Sequence, residues 1–166
     1  MVLKESQIDT PLGPMRAIAD EKALYLLEFV DRKGLKKEIE RLQTKTGQQI
    51  LHGRTQPLEQ IEAELKEYYS GKLQTFQTPF ATFGTPFQKR VWEELQKIPF
   101  GQTCSYAELA AAIGKPTAFR AVALANGANQ LAIIIPCHRV INSSGALGGY
   151  GGGIHNKEWL LKHERR

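Results

Sequence analysis

At 166 residues, 42% hydrophobic and 23% charged, the chain has the profile of one ordinary globular domain or two small ones, which excludes a disordered or fibrous protein. No apolar run approaches the ~18 residues of a membrane span, and Met1-Val2-Leu3-Lys4-Glu5-Ser6 lacks the apolar core of an export signal, so a cytoplasmic setting is expected, nucleoid or nucleus included. The net charge of +5 lies wholly in the second half: residues 1–82 hold 12 basic and 12 acidic side chains, residues 83–166 hold 10 and 5, a placement that suits a polyanionic partner.

Short β-type runs open the chain. Ser6-Gln7-Ile8 leads to a turn at Pro11-Leu12-Gly13-Pro14, then Met15 to Ala19, then Asp20-Glu21-Lys22 and Ala23 to Val30. Turn residues between such runs predict hairpins, hence a small antiparallel sheet. Leu35, Ile39 and Leu42 recur at helical spacing among charges, and a second helix over 57–69 carries Leu58, Ile61, Leu65 and Tyr68 as its apolar stripe, with Pro57 in its first turn. Residues 74–86 contain two prolines, a glycine and no charge, and read as a connection. These signals predict an α/β N-terminal domain over 1–82 and a second domain over 83–166.

The second domain reads as mostly helical. Thr85-Pro86 is a cap followed by proline at the first helical position, and Phe87, Val91, Trp92 and Leu95 share one face. Ser105-Tyr106-Ala107-Glu108 is a capping box for a helix stopping at Gly114, and Thr117 is expected to cap the next, from Ala118 to about Asn126. Helix, short glycine-containing turn and helix make the helix-turn-helix pattern, which also occurs in helical cores that never meet DNA. A last helix is expected from about Asn156 to Glu164.

Leu131 to Ile135 is an apolar, β-branched run that reads as a buried strand, broken by Pro136 and followed at once by Cys137-His138-Arg139-Val140. A thiol beside an imidazole and a guanidinium is where a reactive cysteine can arise, although a buried Cys is more often a small hydrophobe. Neighbours on a strand point to opposite faces, so His138 serves Cys137 only if the backbone turns there. The two cysteines and four histidines show no paired metal-ligand spacing, and neither a metal nor another cofactor is expected. The glycines around Tyr150, from Gly148 to Gly153, predict either a loop approaching a ligand or a mobile hairpin.

Ile135-Pro136-Cys137-His138-Arg139-Val140-Ile141 resembles the signature of the O6-alkylguanine-DNA alkyltransferases, also called methylated-DNA–protein-cysteine methyltransferases. Ile98-Pro99-Phe100-Gly101, Ser105-Tyr106, Phe119-Arg120-Ala121-Val122, Asn126-Gly127-Ala128-Asn129, Gly148-Gly149-Tyr150 and Lys157-Glu158-Trp159-Leu160-Leu161 resemble family segments in the same order. The resemblance implies single-turnover transfer of the O6-alkyl group of guanine to Cys137. His138 would take the thiol proton through a water and Glu164 would orient the imidazole. Tyr106 would donate to guanine N3, and Asn129 would hold the turn around the cysteine. Carbonyls of Cys137 and Val140 would receive the guanine amino group, with Tyr150 and the Gly151 backbone N–H completing the base site.

The partner implied is double-stranded DNA carrying O6-alkylguanine, with the protein itself a monomer in its absence. Arg120 would fill the stack vacated by the flipped base, Thr117, Ala118, Phe119 and Ala121 would line the same groove, and Lys115, Arg139 and Lys89 are candidates for phosphates. Two positions depart from the family pattern: Phe119, where a small residue is usual, and Gln130, where proline is common. Two other functions remain open on sequence alone. One is a helix-turn-helix regulator with Cys137 as sensor; the other is a cysteine hydrolase, which leaves Arg120 and the basic half unexplained.

Overall fold

The structure is a computed structural model and describes residues 2–165. By backbone contacts it forms two compact units, Met1–Phe83 and Gly84–Arg166. In the first, β1 (Val2–Ile8), β2 (Met15–Ala19) and β3 (Leu24–Phe29) form the expected antiparallel meander. Then come α1 (Leu35–Thr46), β4 (Gln49–His52) and α2 (Gln56–Tyr69). The sheet order is β3-β2-β1-β4, and β4 lies parallel to β1, so the sheet is mixed. Sequence reading missed β4 because Gln-Ile-Leu-His shows no alternation; it is an edge strand with Ile50 alone even partly buried.

Each face of this sheet meets a helix. Ile18 pairs with Leu26 across β2 and β3, and both join Leu3, Leu35 and Leu42 in one cluster under α1. Met15, Ala17 and Ala19 have the opposite parity in β2, the strand on which α2 packs. Covering both faces explains why β2 and β3 read as nearly continuous apolar runs. Thr55 caps α2, accepting from the Leu58 N–H, with Pro57 in the first turn. The buried Glu64 of α2 accepts from the backbone N–H groups of Gln77 and Thr78 and from the Thr78 hydroxyl, and so ties down the uncharged connection.

In the second unit α3 (Pro86–Leu95) starts from a Thr85 capping box completed by Gln88. It buries Val91, Trp92 and Leu95, and the Trp92 indole N–H donates to the Ala125 carbonyl at 2.8 Å. A two-residue strand, β5 (Cys104–Ser105), leads into α4 (Tyr106–Ala112), where the Ser105–Glu108 box forms with both hydrogen bonds at 3.0 Å. α5 (Phe119–Gly127) packs on both α3 and α4. Its cap is Ala118, not Thr117, so no capping side chain bonds its first turn among the described residues. β6 (Val140–Ile141) pairs parallel with β5, and α6 (Ile154–Glu164) closes the unit. Among the described residues, no helix is long and apolar enough to cross a membrane.

Candidate active site around Cys137

The apolar run before Cys137 is not a strand. Leu131 to Ile135 coils through tight turns, in which Ile135 N–H reaches the Leu131 carbonyl at 3.0 Å and Ile134 N–H the Ala132 carbonyl at 2.8 Å. Ile133 takes a left-handed conformation with φ 72°, a costly state for a β-branched residue, and it is buried there. The side chain of Asn129 supplies what a neighbouring strand would have given. Its Nδ2 donates to the carbonyls of Ile135 (2.8 Å) and Leu131 (3.4 Å), and its Oδ1 accepts from Leu131 N–H at 3.0 Å. The same Nδ2 lies 3.2 Å from Cys137 Sγ. A buried amide thus closes the turn and touches the sulfur in one stroke.

Beyond Pro136 the chain makes one 3-10 turn, Cys137–Arg139, closed by Val140 N–H on the Cys137 carbonyl. The turn frees His138 from the opposite-face geometry of a strand. Cys137 keeps 5% of its surface and His138 none. His138 Nε2 lies 2.8 Å from Glu164 Oε2, so with the proton on Nε2 the lone pair sits on Nδ1. That Nδ1 is buried and has no hydrogen-bond partner among the described residues. Burial holds the imidazole below its ordinary pKa, against the pull of Glu164, so it is neutral at physiological pH and able to accept a proton.

Arg139 departs from the phosphate-contact expectation. Its guanidinium is buried and spans Glu164, with Nε at 2.7 Å from Oε1 and Nη2 at 3.1 Å from Oε2, while Nη1 donates to the Ile98 carbonyl at 2.7 Å. Three of its five N–H groups are engaged there, and turning the guanidinium out toward a phosphate would strand a buried carboxylate. Burial raises the Glu164 carboxyl, but hydrogen bonds and charge from His138 and Arg139 outweigh it and hold the group well below the carboxylate range. Glu164 therefore stays an anion, with its Oε2 against His138 Nε2.

Parallel pairing of β5 with β6 places Cys104 opposite Val140 and so brings Tyr106, the next residue but one, to the same end of the unit. Tyr106 is half-buried, and burial followed by the nearby Cys137 raises its hydroxyl pKa, which keeps it a proton donor. The glycine loop folds against it. A Cβ on Gly148 would stand 3.1 Å from Asn142 Oδ1 and 3.4 Å from Tyr106 Cε2, at φ 72°, so only glycine fits. The Tyr150 ring meets the His138 ring edge-on at 6.5 Å, and Gly151 is exposed. Arg120, Thr117, Phe119, Ala121, Lys115 and Lys89 are exposed, and Ala118 is half-buried.

Sequence reading passed over two residues here. Lys157 is fully buried on α6, its Nζ donating to the carbonyls of Val140 (2.6 Å) and Gly149 (3.2 Å) and lying 6.0 Å from the Tyr106 ring centroid. Burial pulls its pKa down to about 8. A signal was available: Lys157, Leu160, Leu161 and Glu164 follow i, i+3, i+4, i+7 spacing, so two charges stand on the buried stripe. Asn126, also buried, donates to the Cys137 carbonyl at 3.3 Å. Among the described residues, no cluster of three His, Cys, Asp or Glu side chains could hold a metal ion.

Residues 3–82 match the family model for the 6-O-methylguanine DNA methyltransferase ribonuclease-like domain, and residues 86–166 match that for the DNA-binding domain of the same family. A methylated-DNA–protein-cysteine methyltransferase of Salmonella typhimurium is 42% identical, over 98% of this chain and 95% of its own. One of Methanosarcina barkeri is 45% identical, over 95% and 94%. The crystal structure of Mycobacterium tuberculosis OGT in complex with DNA is 39% identical with TM-score 0.83, over 99% of this chain and 93% of that one.

Proposed function

The chain belongs to the 6-O-methylguanine DNA methyltransferase family, and we infer that it repairs alkylated DNA by moving the alkyl group from guanine O6 onto Cys137. The observation that carries the assignment of roles is the buried relay beside the sulfur: a neutral imidazole with Nε2 on Glu164 and an Nδ1 that has no partner among the described residues. The Cys137 proton passes to Nδ1 through a water, and the thiolate attacks the alkyl carbon. The C–S bond forms as the C–O bond breaks, and the electron pair leaves with guanine. Tyr106, kept protonated, donates to N3 and neutralises that charge as it develops. Asn129 holds the cysteine turn, while the Val140 carbonyl, Tyr150 and Gly151 bound the base.

The thioether regenerates no thiol, so each molecule acts once. The target atom lies inside a duplex, which calls for extrusion of the nucleotide, and Arg120 at the start of α5 fills the gap with Thr117, Ala118 and Ala121 against the groove. Lys115 and Lys89 contact phosphates. The site of action is the cytoplasm, nucleoid or nucleus included, with the free protein a monomer. The test is intact-protein mass after incubation with a duplex carrying O6-methylguanine. One methyl adduct on Cys137 is expected, absent in Cys137→Ala, with Cys104 unmodified because burial and nearby carboxylates push its thiol up to about 11. Repeated turnover, or sequence-specific binding without any adduct, refutes the assignment.

A further inference from the structure

The outer face of α5 keeps two large apolar side chains in water: Phe119 is 52% exposed and Leu124 77%. At about 100° per residue they stand at the two margins of one face, with Ala123, Gly127 and Arg120 between them. The opposite face, Val122, Ala125 and Asn126, is buried in the unit. Single exposed apolar residues are ordinary, but two flanking an arginine on one helix face mark a contact surface. No carboxylate stands near in sequence, since residues 109–157 contain neither Asp nor Glu. The exposed Lys115 and the Arg90 guanidinium beside Gly114 flank the turn that leads into α5. An apolar ridge within basic surroundings fits a duplex, whose base steps are apolar and whose margins are anionic.

We propose that Phe119 is a second wedge beside Arg120: its ring inserts against the base step next to the extruded nucleotide, so repair depends on how readily that step unstacks. This rests on the reading of α5 as the helix that faces DNA. Insertion of a ring separates stacked bases, and the cost depends on sequence: pyrimidine–purine steps open readily, A-tract steps resist. With a small residue at 119, Arg120 would fill the gap alone and the neighbouring step would stay stacked. Phe119 therefore makes the protein a reader of local DNA stiffness, with no hydrogen bond to any base edge.

The test places O6-methylguanine in matched duplexes with either a TA or an AA step beside the lesion, and 2-aminopurine in that step to report unstacking. Stacking differences between steps predict single-turnover rates for the native protein that spread on the order of tenfold, faster beside TA, with 2-aminopurine brightening on binding. Phe119→Ala should shrink the spread to about twofold and abolish the brightening, and Phe119→Trp should restore both. An unchanged spread in Phe119→Ala, or native binding without brightening, overturns the proposal. So does sedimentation showing that Phe119→Ala dissolves a dimer of the free protein, which would assign the face to self-association. Absence of any methyl adduct from the native protein on every duplex would remove the repair reading itself.

Discussion

Replacing Glu164 by Gln probes the relay most directly, because one carboxylate there serves two partners. Its Oε2 receives His138 and Arg139 Nη2, and its Oε1 receives Arg139 Nε, all within 3.1 Å and out of water. Gln keeps the shape and removes the charge. Arg139 is then a buried cation without a counter-ion, a situation that costs about 3–5 kcal/mol. Against a total stability of about 5–15 kcal/mol this is a large fraction, equivalent to a drop in Tm of roughly 6–20 °C for a chain of this size. His138 loses the partner that raises its pKa and fixes Nε2–H, so it becomes a weaker base in a less certain tautomer. General-base contributions of about 10²–10⁴ put the expected loss in single-turnover rate near 10².

The pH dependence separates the two effects. The Glu164 pKa is lowered on folding, so its contribution to stability is complete above its unfolded value near 4.5 and is lost as pH falls through the lower folded one. In Glu164→Gln that part of the acid destabilisation should disappear from the difference between urea titrations at pH 7 and pH 4. The measurements are thermal melts, urea titrations at the two pH values, and methyl transfer to duplex at pH 7. A Tm within about 2 °C of native together with a rate within about twofold would refute the relay and the ion pair alike.

Asn129→Ala removes contacts to Leu131, Ile135 and Cys137 Sγ and takes away the acceptor of the buried Leu131 N–H, so a loss of about 1–3 kcal/mol and a slower reaction of Cys137 with small alkylating reagents are expected, read by urea titration and adduct mass. Lys157, with a pKa lowered from 10.5 to about 8, binds fewer protons folded than unfolded between those values, so it makes stability rise with pH across that window by at most about 3 kcal/mol. Lys157→Met should abolish that rise when urea midpoints at pH 7.5 and 9.5 are compared with native. Arg120→Ala should slow methyl transfer to duplex about tenfold or more relative to transfer from free O6-benzylguanine; equal slowing on both substrates would refute its place in the stack.

Local signals carried much of the fold. Thr85-Pro86 and Ser105 with Glu108 mark helix starts because a capping side chain and the N–H it satisfies lie within three residues of each other. The stripes of α1 and α2 are legible for the same reason, as is the turn at Pro11 to Pro14. Cys137 beside His138 and Arg139 marks a place where a reactive thiol can arise, and the ordered segments around them resemble those of the alkyltransferases.

Decisions made across long stretches of chain belong to the tertiary structure alone. Whether Arg139 meets phosphate or Glu164 depends on α6 returning to the cysteine turn, 25 residues later. Leu131 to Ile135 has strand composition, yet the Asn129 amide meets its backbone groups and a buried coil results. Lys157 and Glu164 are charged residues that a helix face carries out of water, and only the arrangement of carbonyls and cations around them sets their ionisation. Composition and spacing determine which groups are present and which local turns they favour; desolvation and hydrogen bonding between distant segments determine what those groups can do.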